Sequence, residues 1–293
     1  MRIGITDSGL GGLSVCAAVE ARLRAAPIAQ DVELLFINAA LRDDYGYNSM
    51  PTRDEKVRTF DAFLGTVAER HTPDLLYIAC NSLSVILHGC RSPRHRHMPV
   101  HGIVETGTQA ILSALDTDDP PAVVIFATPT TVEENTYRDN LIAAGVDPAR
   151  IAQQACPDLA NAITNDHTGQ EAQPLLERFI PEALAQLDAP PQSAVAFLGC
   201  THYGYQADLF ETHLREHVAD VRVLNPNDDA AAELTARLGG TPGQGQLTAR
   251  FVTPYAIPNR WLTTLEHYLG DTAPATLAAL QQFNVDPQLY PQN

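Results

Sequence analysis

Short apolar runs alternate with longer stretches of helical periodicity along most of this chain. Strand-like runs fall at residues 2–6, 33–37, 74–79, 100–104, 122–127, 194–198 and 221–224. Brief apolar runs bounded by turn-forming residues suit strands buried on both faces. Between them Val57, Phe60, Leu64 and Val67 recur at helical spacing, as do Leu175, Leu176, Phe179, Ile180, Leu184 and Leu187. This alternation predicts an α/β protein with largely parallel sheets and helices on both faces. Past residue 270 the chain becomes rich in Ala, Gln and Pro. There a short helix and a loosely held tail through Asn293 are expected, without chemistry.

Polar turns follow the expected strand ends at 7–9, 80–82, 128–131 and 200–202. Open parallel sheets bind ligands beyond the carboxyl ends of their strands, so these turns predict one cleft. Two of them share a design. Leu75-Leu76-Tyr77-Ile78-Ala79 runs into Cys80-Asn81-Ser82, and Val195-Ala196-Phe197-Leu198-Gly199 runs into Cys200-Thr201-His202. Each is a buried strand that ends by presenting a thiol beside hydrogen-bonding groups. Two such thiols facing one cleft would set acid–base groups on opposite faces of a substrate.

The bulk properties narrow the class. With 293 residues, 45% hydrophobic and 18% charged, the chain suits one large or two ordinary globular domains. No apolar stretch approaches the roughly 18–20 residues that span a membrane. The start, Met1-Arg2-Ile3-Gly4-Ile5-Thr6-Asp7, enters a strand without a secretory apolar region, so a cytoplasmic location is expected. A net charge of −16 argues against nucleic acid as a partner. Five cysteines without a CxxC pair make free thiols rather than a disulfide framework. Cys16, Cys90 and Cys156 read as packing thiols.

Asp7-Ser8-Gly9-Leu10-Gly11-Gly12 follows the first strand and opens a helix. Its glycines permit close backbone approach to a ligand. The spacing matches neither the dinucleotide fingerprint nor a P-loop. Zinc on Cys80, Cys200, His202 and Asp7 is a rival chemistry, but Cys-x-His is not a familiar chelating spacing. Arg94-His95-Arg96-His97 between prolines reads as a solvated connection. Pyridoxal phosphate would require Lys56, the chain's single lysine, which sits out of context on an amphipathic helix.

Taken together, these motifs resemble those of the glutamate racemase family, within the aspartate/glutamate racemase superfamily. The family's DSGxGG turn is matched by Asp7 through Gly12, its ACNT motif by Ala79-Cys80-Asn81-Ser82, and its GCTHYP motif by Gly199-Cys200-Thr201-His202-Tyr203. Weaker similarities lie at Tyr45-Gly46, Ile103-Val104-Glu105, Ala127-Thr128 through Thr131-Val132 with Tyr137, and Ala155-Cys156-Pro157. The resemblance runs from residue 3 to about 270.

It implies two doubly wound α/β domains related by pseudo-twofold symmetry, with the active site in the cleft between them. Residues 1–98 plus 208–270 would form one domain, 99–207 the other, and 271–293 a C-terminal extension. It implies a cofactor-independent, metal-free amino-acid racemase, glutamate racemase first, working by two-cysteine proton transfer. Cys80 and Cys200 would be the acid–base pair, assisted by Asp7 and His202, each tuning its nearest cysteine. Ser8, Tyr45, Gly46, Asn81, Ser82, Thr128, Thr131 and Thr201 would hold a small amino-acid substrate. A D-glutamate product would feed peptidoglycan precursors, and a homodimer is compatible with the resemblance. The alternatives are racemisation of another or modified amino acid, such as aspartate, and a non-catalytic binding protein on this fold. Three positions depart from the family pattern: Asp44 stands for proline before Tyr45, Gly204 for proline after Tyr203, and Asn225-Pro226-Asn227-Asp228-Asp229 for a single Asp-Ser.

Overall fold

The computed structural model describes residues 1–290; the last three residues of the expected tail lie outside the described residues. In chain order the first elements are β1 (Arg2–Asp7), α1 (Leu13–Ala25), β2 (Val32–Asn38), α2 (Arg53–Arg70), β3 (Leu75–Ile78), α3 (Asn81–Ile86), β4 (Val100–Gly102) and α4 (Ile103–Leu115). The middle of the chain forms β5 (Ala122–Ala127), α5 (Pro129–Glu133), α6 (Thr136–Ala143), β6 (Ile151–Ala155), α7 (Leu159–Asn165), α8 (Gln173–Leu184), β7 (Ser193–Gly199), α9 (Ala207–Arg215) and β8 (Asp220–Leu224). It closes with α10 (Pro226–Leu238), β9 (Leu247–Thr253), α11 (Asn259–Leu269), α12 (Pro274–Gln281) and β10 (Asn284–Val285). No described helix is long and apolar enough to cross a membrane.

The strands make two parallel sheets, one ordered β10-β9-β2-β1-β3-β4 and the other β6-β5-β7-β8. Both faces of each are covered, which is why their strands read as continuous apolar runs. Period two still sorts the side chains. Ile3, Ile5, Leu34 and Phe36 pack on one face of the larger sheet with α1 and α10, while Leu35, Ile37, Leu76 and Ile78 pack on the other with α2. In β5, Val124 and Phe126 face the core of the smaller lobe. Val123 and Ile125 join the core that also holds Leu35 and Ile78, so one apolar cluster runs through both lobes.

The lobe crossovers lie later in the chain than the motif resemblance suggests. Strand β4 pairs with β3 in the larger sheet, and β8 pairs with β7 in the smaller. The connections between lobes are therefore α4 and α10, each one strand beyond the expected boundaries at 98/99 and 207/208. These two helices pack on one another, and the Thr106 hydroxyl of α4 donates to the Glu233 carboxylate of α10.

Local signals set several element starts. Thr52 caps α2 by accepting from the Glu55 N–H at 3.2 Å, with Asp54 and Glu55 in the first turn. Thr128 caps α5 ahead of Pro129, and Asn225 caps α10 ahead of Pro226. The C-terminal segment is more firmly held than its composition suggests. Strand β10 extends the larger sheet beside β9. The buried Glu20 carboxylate accepts from the Ala275 and Thr276 N–H groups and from the Thr276 hydroxyl, at 2.7–2.8 Å. The Tyr290 hydroxyl lies 3.1 Å from that of Tyr47. Strands β6, β9 and β10 were not legible as apolar runs; Ile151–Ala155 carries two glutamines and Leu247–Thr253 alternates with polar residues.

Candidate active site

The carboxyl ends of both sheets open onto one cavity of about 320 Å³. Asp7 and Ser8 arrive from β1, Cys80 from the end of β3, Thr128 from β5, Cys156 from β6, and Cys200 to His202 from β7. Neighbouring parallel strands deliver these turns side by side. That register brings residues far apart in sequence to one wall.

Both strand-end thiols are buried. The Ser8 Oγ lies 3.1 Å from Cys80 Sγ, and the His202 Nδ1 lies 3.7 Å from Cys200 Sγ. Burial pushes the Cys80 thiol up to about 12, the Asp7 charge adds to this, and the Ser8 contact opposes it. Burial likewise holds Cys200 well above an ordinary thiol, with Asp7 adding to it. The His202 imidazole is shifted down by burial, against the opposing pull of Asp7. Cys80 and Cys200 thus rest as thiols, and the neutral His202 imidazole beside Cys200 carries a lone pair that can receive a proton.

Asp7 acts on both thiol turns. Its Oδ2 accepts from the Thr201 hydroxyl at 2.7 Å, tying the first turn of one lobe to the thiol turn of the other. Its charge raises both thiols. Thr201, expected to hold substrate, lines the cavity and donates its one hydroxyl hydrogen to Asp7, while its oxygen can still accept. Asn227 reinforces the joint, its Nδ2 donating to Thr201 O and Ser14 Oγ at 2.9 Å each. Gly11 is needed for the close approach. A Cβ there would lie 2.4 Å from Thr201 Oγ1 and 2.6 Å from His202 N.

On the cavity's hydroxyl side, Ser82 Oγ is 2.7 Å from Thr128 Oγ1 and 3.4 Å from Thr131 Oγ1. Thr131 stands behind these two rather than on the wall. Asn81 Oδ1 accepts from the Tyr137 hydroxyl at 2.5 Å, while its buried Nδ2 has no partner among the described residues. A buried amide donor without a partner is costly unless a ligand meets it. Tyr45 and Gly46 line the cavity, although the Tyr45 hydroxyl turns to Glu55 at 3.3 Å.

Several lining residues were not foreseen. Arg42, Asn48, Asp158, Asn161, Tyr255 and Trp261 all reach the wall. Asp158 follows Pro157 with φ +65°, a left-handed conformation that favours turn-forming Asp and Asn. Tyr255 comes from the turn after β9 and Trp261 from α11, where no motif flagged them. Cys156, read as a packing thiol, also borders the cavity. Its Sγ faces the Gln154 carbonyl at 3.5 Å and burial pushes the thiol far up.

The departures from the family pattern have local explanations. Asp44 is largely exposed and pairs with Arg42 at 3.0 Å, so its charge is offset at the cavity mouth. Gly204 lies against Asn225, where a Cβ would come within 2.6 Å of the amide. These two departures form one packing unit. Among the described residues, no three His, Cys, Asp or Glu side chains are grouped to hold a metal ion.

The sequence pattern of the Asp/Glu/Hydantoin racemase family matches residues 3–234. A glutamate racemase of Ruegeria pomeroyi is 31% identical over 278 residues, which are 89% of this chain and 95% of that protein. One from Roseobacter denitrificans is 30% identical over 84% of this chain and 89% of its own. Among solved structures, a glutamate racemase isoform from Bacillus anthracis superposes with a TM-score of 0.69 at 22% identity, covering 92% of this chain and 94% of that one. A glutamate racemase from Francisella tularensis in complex with D-glutamate gives 0.68 at 20% identity, covering 92% and 93%. At these identities the superpositions establish the fold.

Proposed function

The chain belongs to the Asp/Glu/hydantoin racemase family, and from that membership we propose that it racemises glutamate without a cofactor, using Cys80 and Cys200 as opposed acid and base. The observation that carries this reading is the cavity itself. Two buried thiols, delivered by different sheets, line one amino-acid-sized space, each beside its own proton-handling neighbour.

Inversion needs a base on one face of the α-carbon and an acid on the other. In one direction the Cys200 thiol first loses its proton to His202; burial disfavours thiolate and imidazolium alike, so this transfer is uphill, and the pull of Asp7 on His202 offsets part of that. The Cys200 thiolate then takes the α-proton; the C–H pair stays on the α-carbon, and the thiolate becomes a thiol. The Cys80 S–H bond breaks on the opposite face, its proton forms the new Cα–H bond, and Cys80 is left as thiolate beside the Ser8 hydroxyl. The reverse direction exchanges these roles. Negative charge that spreads onto the substrate carboxylate is met by preorganised donors, of which the unpaired Asn81 Nδ2 and the Ser82–Thr128 hydroxyl pair are the best placed.

Arg42 supports a dicarboxylate substrate, because it offsets Asp44 at the mouth. The reaction would run in the cytoplasm on free amino acid and supply D-glutamate to peptidoglycan precursor synthesis. The test is incorporation of solvent deuterium at Cα, read by mass spectrometry over a panel of amino acids with no cofactor added. Glutamate should exchange and racemise, and Cys80→Ala and Cys200→Ala should each abolish racemisation. Exchange by no amino acid, or near-full activity in either variant, sinks the reading.

A further inference from the structure

Lys56 is buried on α2, yet its Nζ reaches across the cleft to Thr130 Oγ1 of α5 at 2.8 Å. Glu133 lies 3.6 Å from the same nitrogen. An ammonium only donates, so the Thr130 oxygen accepts. The single hydroxyl hydrogen of Thr130 is then free for Asn48 Oδ1, 2.7 Å away, and the Thr130 N–H points at that same oxygen at 3.4 Å. Two donors on one oxygen fix which way the Asn48 amide faces. Its Nδ2 makes no hydrogen bond among the described residues, and Asn48, an exposed residue, lines the cavity.

The surrounding charges say what this donor is for. Asp7, Asp43, Asp44 and Asp158 line the cavity, and Arg42 is the one arginine or lysine among the lining residues. Arg42, Asp43, Asp44 and Asn48 belong to the same loop between β2 and α2, and Arg42 is paired with Asp44. The Asn48 amide is thus an uncommitted neutral donor on that part of the wall, where a second carboxylate can be met, while Cys80, Cys200 and Asn81 serve the α-carbon.

Building on the racemase reading, we infer that Asn48 is a specificity-determining residue whose Nδ2 donates to the side-chain carboxylate of the substrate, and that Lys56 is a positioning residue acting through Thr130. Asn48→Asp tests the first part. The carboxylate keeps an acceptor for Thr130 but replaces the donor with a repelling oxygen. The full-length variant should raise KM for glutamate by about tenfold or more, with the effect on KM rather than kcat.

Lys56→Met tests the second part. It should raise KM by about fivefold alone and add nothing in the Asn48→Asp background, because the two changes break one chain of contacts. Circular dichroism checks folding, and Thr130→Val provides the same readout if Lys56→Met folds poorly. Equal KM increases in both backgrounds would mean Lys56 acts on the fold at large and would overturn its positioning role. An unchanged KM in Asn48→Asp, with active wild type, overturns the inference and leaves the racemase reading standing. A wild type that exchanges no amino acid overturns both.

Discussion

Gly11→Ala is the most economical probe of how the two lobes meet. A Cβ at this position would lie 2.4 Å from Thr201 Oγ1 and 2.6 Å from both His202 N and His202 Nδ1. Ordinary contact begins at 3.4 Å, so the turn carrying Cys200 must retreat by about 1 Å. Two of the three atoms cannot swing aside, since His202 N is backbone and Thr201 Oγ1 is held by Asp7 at 2.7 Å. Overpacking of this kind costs about 1–3 kcal/mol of stability. The larger effect is catalytic, because a 1 Å misplacement of reacting groups lowers rate by about 100-fold. Deuterium exchange at Cα reads the rate, and thermal unfolding reads the stability. The expected result is a folded protein with kcat down by about two orders of magnitude. Wild-type kcat in a folded Gly11→Ala variant would refute the claim that this contact sets the position of Cys200.

Three further expectations rest on buried groups. Burial holds Cys80 at about 12 and Cys200 higher still, so the reactive thiolate is the scarce form at neutral pH and kcat/KM should rise between about pH 6 and 9; a flat profile would contradict neutral resting thiols. The same shift carries a stability sign. Cys80 is neutral in both states below its unfolded value, and above it the unfolded chain ionises first, so its contribution is lost as pH rises toward about 12. Glu20→Ala strips the acceptor from the Ala275 and Thr276 N–H groups and the Thr276 hydroxyl, which should destabilise the protein by about 3 kcal/mol in urea unfolding. An unchanged midpoint would mean that α12 is held without that cap.

Much of the architecture was legible because apolar runs and turns are local signals. Strands β1, β2, β3, β5 and β7 announce themselves as buried runs, and the polar turns after four of them all reach the cavity. Strands β6 and β9 were hidden because their polar positions break the run, although both sit within parallel sheets. The C-terminal segment looked loose because its composition is bland. Its anchor is Glu20, more than 250 residues earlier in the chain. The family motifs marked Thr131 and Thr201 alike, but only folding set Thr131 behind Ser82 and directed the Thr201 hydroxyl hydrogen to Asp7.

By itself, then, the sequence determined the α/β class, the strand-end turns, the two thiols and the family, since each is written in contiguous residues. Only the tertiary structure decided what those thiols face. The partnership of Asp7 with Thr201, the offset of Asp44 by Arg42, the joint packing of Gly204 with Asn225 and the relay from Lys56 to Asn48 all depend on atoms brought together by folding. Hydrogen bonds and charges act over a few ångströms of space, whatever the separation along the chain.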